Sequence, residues 1–323
     1  MTPPIISCTP NPKVSPQSLT QGLTQSQNLT HWQAQPHDWI VAISLFVFIT
    51  VLLAAACHAG WNALLKIKLE PFLAMVLINA AGGLIGIPFL ILFGFPDLSC
   101  LPWLAASTVL HLGYYFALTN AYQRADMGQV YPIARGSAPL LTGLFSLLWL
   151  EEPMSSTALV GIGCLGFGIF TMSLKSRHDR APMDRQALRY AALTALMICG
   201  YTIADGTGAR LSNHPHAYTA ALFVLDGGCF TLVAVWMRGF YGLRPILAYT
   251  KHGLLGGAMS CASYGIAIWA MTVAPIPLVA AVRETSVLFG AAIAVVFLKE
   301  PLRLNRILAA FLIVCGLYFI RLG

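Results

Sequence analysis

Ten apolar runs, each close to bilayer length, occupy the chain from residue 40 to residue 321. They cover 40–66, 71–95, 101–123, 127–149, 156–174, 189–210, 216–238, 252–273, 276–298 and 303–321, with short links between them. About 20 apolar residues span the hydrocarbon core as a helix. Within lipid each backbone N–H and C=O must be paired inside the protein, so only helices or closed barrels cross. The runs are continuous rather than alternating, which excludes a barrel. The expected fold is therefore all-α and integral to the membrane, with ten transmembrane helices. At 57% hydrophobic and 10% charged, the chain carries more apolar surface than a water-soluble core requires.

The net charge of +7 comes from residues set mostly in the short links, not from a basic stripe interleaved with aromatics. Nucleic acid is thus not an expected partner. If every run crosses, links 1–2, 3–4, 5–6, 7–8 and 9–10 share one face and hold nearly all the link Lys and Arg. The positive-inside rule then places both termini outside. Residues 1–38 are rich in Gln, Thr, Ser and Pro and read as a disordered polar tail. The eight cysteines are scattered without a CxxC and read as packing residues. His214 and His216 make a poor metal site, so no metal or cofactor is expected.

Two stretches align without a gap. "ARGSAPLLTGLFSLLWLEEP" (134–153) matches "VRETSVLFGAAIAVVFLKEP" (282–301), pairing Arg135 with Arg283, Glu152 with Glu300 and Pro153 with Pro301. A weaker match sets "HAGWN" (58–62) beside "YTIAD" (201–205), pairing Asn62 with Asp205. Each half then holds five helices. Five is odd, so the second half enters from the opposite face and the repeats are inverted. That architecture belongs to secondary transporters, whose substrate site lies near the midplane between the halves. The expected organisation is a first repeat at 39–174, a basic linker at 175–188 and a second repeat at 189–323.

"HAGWNALLK", "YPIARGSAPLLTGLFSLLWLEEP", "YTIADGTGAR" and "AAVRETSVLFGAAIAVVFLKEP" together resemble the EamA family of the drug/metabolite transporter superfamily, over roughly residues 40–323. The resemblance implies two inverted five-helix repeats around a central cavity. It also implies movement of small metabolites, often export of amino acids or related compounds, across the cytoplasmic (inner) membrane of a bacterium. The family often has Gly before the Glu that ends helices 4 and 9. Here Glu151 and Lys299 stand there.

The intramembrane polar residues are the candidate substrate contacts, because charges inside a span line a pathway or pair with one another. Arg283 and Arg135 could hold a carboxylate or phosphate through the guanidinium fork, or form structural ion pairs. Small or polar residues follow each along one helix face: Ser286, Gly290 and Ala294 after Arg283, and Ala138, Thr142 and Ser146 after Arg135. That composition suits a bundle interior. Glu284 points about 100° from Arg283 on the helix and would lock a neighbouring helix or share the cavity. Asp226 would bind a cation, carry a proton or pair with an arginine. Asp205 reads as structural, in an "ADGTG" stretch that suggests local irregularity. Trp61, Tyr264 and Trp269 are candidate cavity walls and Asn62 a hydrogen-bond donor, with packing and interhelical bonding as the alternatives. Lys66 and Lys68 should snorkel to the interface, and helix termination accounts for Glu151, Glu152, Lys299 and Glu300.

The leading functional expectation is a secondary transporter of a small organic metabolite, with protons as a candidate coupling ion. No GxxxxGK[ST] stretch occurs for ATP use. The alternatives are a proton-coupled exporter of cationic drugs and a membrane-embedded enzyme acting on lipid-linked substrates. The paired arginines argue against the first by repelling cations. The second lacks HExxH, GxSxG or a tight Ser/His/Asp cluster, so no enzyme is expected. Oligomeric state is not encoded in any pattern.

Overall fold

Helices follow the apolar runs closely in the computed structural model, which describes residues 43–64, 69–125, 127–152, 154–172, 184–212, 214–296 and 304–323. All of these fall in the unit Val41–Gly323. The polar tail, Lys66 and Lys68, Pro153, linker residues 175–183, and Lys299, Glu300 and Pro301 lie outside the described residues. The helices are α1 (Leu45–Leu64), α2 (Pro71–Phe93), α3 (Leu101–Arg124), α4 (Met127–Phe145), α5 (Ser156–Met172) and α6 (Arg185–Leu211). They continue with α7 (Pro215–Gly242), α8 (Thr250–Val273), α9 (Ile276–Arg283), α10 (Ser286–Val296) and α11 (Leu304–Leu322). No strand occurs among the described residues.

Proline sets several of the starts. It lies in the first two positions of α2, α3, α7 and α9, where a missing N–H removes no helical bond. Asp184 caps α6, its Oδ1 accepting from the Gln186 N–H at 3.3 Å. Gly239, at φ 67° and ψ 167°, kinks α7 at the point where the apolar run was expected to end. The "ADGTG" stretch is regular helix. Its glycines instead admit neighbours: a Cβ on Gly208 would stand 2.6 Å from the Tyr218 ring, and one on Gly206 2.5 Å from Ile276.

Eight helices among the described residues are long and apolar enough to cross a membrane. The helix α5 is apolar but shorter. The helix α3 is not among the eight despite its 24 residues, because its inner face carries Ser107, Thr108, His111 and Tyr115. Large apolar side chains point outward, Phe46, Ile91, Trp236 and Phe311 being 65–86% exposed, as expected where lipid is the solvent.

The principal packing partners are α2 with α7, α5 with α11, α3 with α6 and α1 with α8. Without a hydrophobic drive between helices in lipid, close contact comes from small residues. A Cβ on Gly227 would stand 2.6 Å from Asn79 O and 2.8 Å from Gly83 Cα, so α2 and α7 meet backbone to backbone. The glycines of two GxxxG spacings, 82–86 and 253–257, lie in such contacts, Gly86 against Ala220 O of α7 and Gly257 against Ala81 of α2.

Candidate functional site

The ninth apolar run is broken at its centre. After Arg283 the chain tightens into short-range bonds, Glu284 N–H to Ala281 O, Thr285 N–H to Val282 O and Val287 N–H to Glu284 O, each at 3.1 Å. The helix resumes as α10 at Ser286. No glycine or proline marks this break. Discontinuous helices at mid-membrane are where transporters build binding sites, because backbone and side-chain polar groups become available together.

Arg135 of α4 and Glu284 meet across the bundle, Nε to Oε2 at 2.7 Å, with both side chains almost wholly buried. The guanidinium Nη2 also lies 3.0 Å from His58 Nε2 on α1. Arg donates only, so His58 Nε2 accepts. Trp61 Nε1–H points at His58 Nδ1 at 3.3 Å and is likewise only a donor. A neutral imidazole has one acceptor nitrogen, so His58 serves Arg135 or Trp61 but not both. Glu284 thus joins the break after α9 to α4. The buried face expected after Arg135 is present, with Ala138, Thr142 and Ser146 all buried.

Arg283 keeps more of its capacity. Its guanidinium lies 5.1 Å from the Tyr264 ring centroid and 4.0 Å from Glu284 Oε1, at the limit of an ion pair. Its Nε has no hydrogen-bond partner among the described residues. Among the described residues, the ion-pair contact of Asp226 is with His111. Its Oδ2 lies 3.4 Å from His111 Nδ1, which is also 3.0 Å from Ser107 O. Both are acceptors, so the His111 proton sits on Nδ1. Thr108 lies near enough to Asp226 to act as a hydrogen-bond donor to it, but among the described residues neither Thr108 Oγ1 nor Asp226 Oδ1 makes a well-formed hydrogen bond.

Arg283, Arg135, Asp226, Trp61 and Tyr264 line one cavity of about 70 Å³. Aromatic rings form much of its wall. His111 stacks on Tyr201 at 4.1 Å, and Tyr114 and Tyr115 stand edge to face. Asp205 is fully buried and accepts from the Tyr218 hydroxyl at 3.0 Å and from the Tyr264 hydroxyl, a structural role as expected. Asn62 and Trp269 do not line the cavity. Asn62 Nδ2 donates to His58 O of its own helix at 2.8 Å, and Trp269 packs edge-on against Phe46.

A second polar cluster closes one end of the bundle. Arg210, at the end of α6, bonds Glu152 Oε1, Met271 O (2.8 Å) and Ala274 O (3.0 Å). Glu152 Oε2 accepts the Ile276 N–H at 3.0 Å. The cation meets the C-terminus of α8 and the carboxylate meets the N-terminus of α9, both favourable to the helix dipoles. Helix termination alone is therefore too small a role for Glu152. Glu151 beside it has φ 49° and ψ 29°, the left-handed region that glycine occupies without strain.

Sequence reasoning passed over His58, His111, Tyr201 and the Arg210–Glu152 cluster as site elements. One usable signal existed. His58 and Tyr201 stand at matched positions in the "HAGWN" and "YTIAD" stretches, and both line the cavity.

Residues 45–174 match the EamA-like transporter family, part of the drug/metabolite transporter superfamily. A solved structure titled "Crystal structure of protein" is similar with a TM-score of 0.65 and 18% identity, over 86% of this chain and 96% of that one. At that identity the likeness shows a common fold. The eight long apolar helices among the described residues and the match over residues 45–174 support an integral membrane protein, and the family matched there is one of small-solute transporters.

Proposed function

Taking the EamA-like match over residues 45–174 as premise, we propose that the protein is a secondary transporter exporting a small organic metabolite, an amino acid or related compound, by alternating access. Its ten spans form two inverted five-helix repeats, residues 39–174 and 189–323, joined by the basic linker 175–188. Both termini lie outside the cytoplasmic membrane. The packing supports this organisation. Exchanging the halves maps the α1–α8 contact onto α6–α3 and the α4–α6 contact onto the contact of α1 with α9 and α10. The family match also ends at residue 174, where the first repeat closes.

One observation carries the substrate reading. Arg283 and Asp226 share a single buried cavity, and among the described residues each keeps a polar atom without a well-formed hydrogen bond. A buried polar group left unmade is costly, and a ligand that completes both is favoured by that amount. The α-carboxylate of an amino acid binds Arg283, its ammonium binds Asp226, and its side chain lies against Tyr114, Tyr115 and Trp61. The cavity is well below the ~300–1,000 Å³ of an open ligand pocket, so this conformation is closed around the site. The Arg210–Glu152 cluster seals one face by tying the first repeat to the second. Loading through that face requires the cluster to part.

A second reading, export of aromatic cations, is favoured by the same Asp226 oxygen beside aromatic faces. Glu284 neutralises Arg135, which weakens the repulsion that counted against it. Proteoliposome transport separates the two. For an amino-acid carrier, Arg283→Ala abolishes carboxylate transport while the protein still inserts. Transport that survives Arg283→Ala but is lost in Asp226→Asn would assign the site to cations.

A further inference from the structure

A cavity of about 470 Å³ lies between the last turn of α3 and the first turns of α6, lined by Arg124, Gln186, Arg189, Tyr190 and Leu193. It is far from the central site and is not explained by transport. Among the described residues, the groups that hold Arg124 are neutral. Its Nη1 donates to Asn120 O and Oδ1 at 3.1 Å, its Nε donates to Gln186 Oε1 at 3.2 Å, and it lies 4.9 Å over the Tyr190 ring. Among the described residues neither Arg124 nor Arg189 forms an ion pair. Asp184, five residues before Arg189, is engaged in capping α6, and Asp126, two residues after Arg124, lies outside the described residues. The result is a recess at a helix end that carries two cations, Arg124 held by its neighbours and Arg189 exposed.

An apolar face continues from the recess toward the membrane interior. Phe116 lies two turns before Arg124 on α3, and Leu193 and Leu196 follow Arg189 on α6 at helical spacing. All three are exposed, and the Phe116 ring meets Tyr190 edge-on at 6.2 Å. A cationic recess joined to an exposed apolar groove at a membrane face matches one kind of molecule. We propose that this is a binding site for an anionic glycerophospholipid. Its phosphodiester sits between Arg124 and Arg189, its headgroup hydroxyls meet Gln186 and Tyr190, and an acyl chain follows Phe116, Leu193 and Leu196. Basic recesses between transmembrane helices are suited to such headgroups. A free phosphate would use the same arginines but leave the groove unused. Because α3 and α6 pack together, the lipid would clamp that contact.

The test is the melting temperature of the full-length protein in neutral detergent, with dioleoyl phosphatidylglycerol, dioleoyl phosphatidylcholine or inorganic phosphate added. Phosphatidylglycerol at a hundredfold excess over its Kd should raise the melting temperature by about 5 °C. Phosphatidylcholine should give much less, and Arg124→Gln/Arg189→Gln should lose the difference. If the double variant folds poorly, Arg189→Gln alone should reduce the shift, since that side chain is exposed and in no ion pair among the described residues. Equal shifts from both lipids, or a shift unchanged in the variants, would overturn the proposal. An equal shift from phosphate alone would also overturn it, by making the recess a free-anion site.

Discussion

Replacing Glu284 by Gln removes one charge from a pair that has almost no water. The Arg135 and Glu284 side chains are 4% and 2% exposed and meet at 2.7 Å. The same protein offers a control with the same separation: Arg238 and Glu70 also meet at 2.7 Å, but each side chain is 45% exposed. Geometry being equal, burial decides the difference. Breaking a buried pair leaves an uncompensated charge and costs about 3–5 kcal/mol. Breaking an exposed one costs about 0–1 kcal/mol. Glu284→Gln should therefore destabilise the protein by about 3 kcal/mol or more, since the His58 imidazole beside Arg135 carries no compensating negative charge. Glu70→Gln should be nearly silent. Because removing both partners of a buried pair is far less costly, Arg135→Met/Glu284→Leu should recover most of the loss. The assay is equilibrium unfolding in detergent, run as two double-mutant cycles. Coupling energies of equal size for the two pairs, or a loss under about 1 kcal/mol for Glu284→Gln, would refute the argument that burial sets the strength of this lock.

Glu151→Gly should stabilise. Glycine holds the left-handed conformation without the Cβ clash, which relieves about 1–2 kcal/mol, against about 0.4–1 kcal/mol for the added freedom of the unfolded chain, and unfolding measurements should show the net gain of about 0.5–1 kcal/mol. Arg210→Gln should loosen the closed end of the bundle, since Arg210 ties Glu152 to the carbonyls of Met271 and Ala274. A cysteine placed at Ser260 on the cavity wall, in a background freed of native cysteines, should then react faster with an impermeant maleimide from the Glu152 face. An unchanged rate would mean that the cluster does not gate that face.

Much of the fold was legible because lipid leaves the chain few choices. A continuous apolar run in a bilayer is a helix, and the observed helices begin and end within a few residues of the runs. The break after Arg283 was not legible, because no glycine or proline announces it and residues 276–296 read as one uninterrupted span. The Arg135–Glu284 contact was hidden for another reason. The internal alignment equates Arg135 with Arg283 but does not say that the residue after one reaches the other. Asn62 and Trp269 show the limit of residue type as a guide. An amide inside a span can be satisfied by its own helix, and an indole can pack on a neighbour, with nothing in the sequence to mark which face each occupies. His58 is the converse case: its residue type fits ordinary interhelical bonding, and its contact with Arg135 and its match to Tyr201 together mark it as a cavity residue.

The central claim is that Arg283 and Asp226 form the two poles of a substrate site. Its most direct test is ligand-induced thermal stabilisation of the purified protein, screened across amino acids, organic acids, nucleosides and cationic dyes, with Arg283→Ala measured in parallel. A ligand that binds only the folded state raises the melting temperature by mass action. The account predicts a hit among amino acids that disappears in Arg283→Ala. A hit confined to cationic dyes that persists in Arg283→Ala would contradict it.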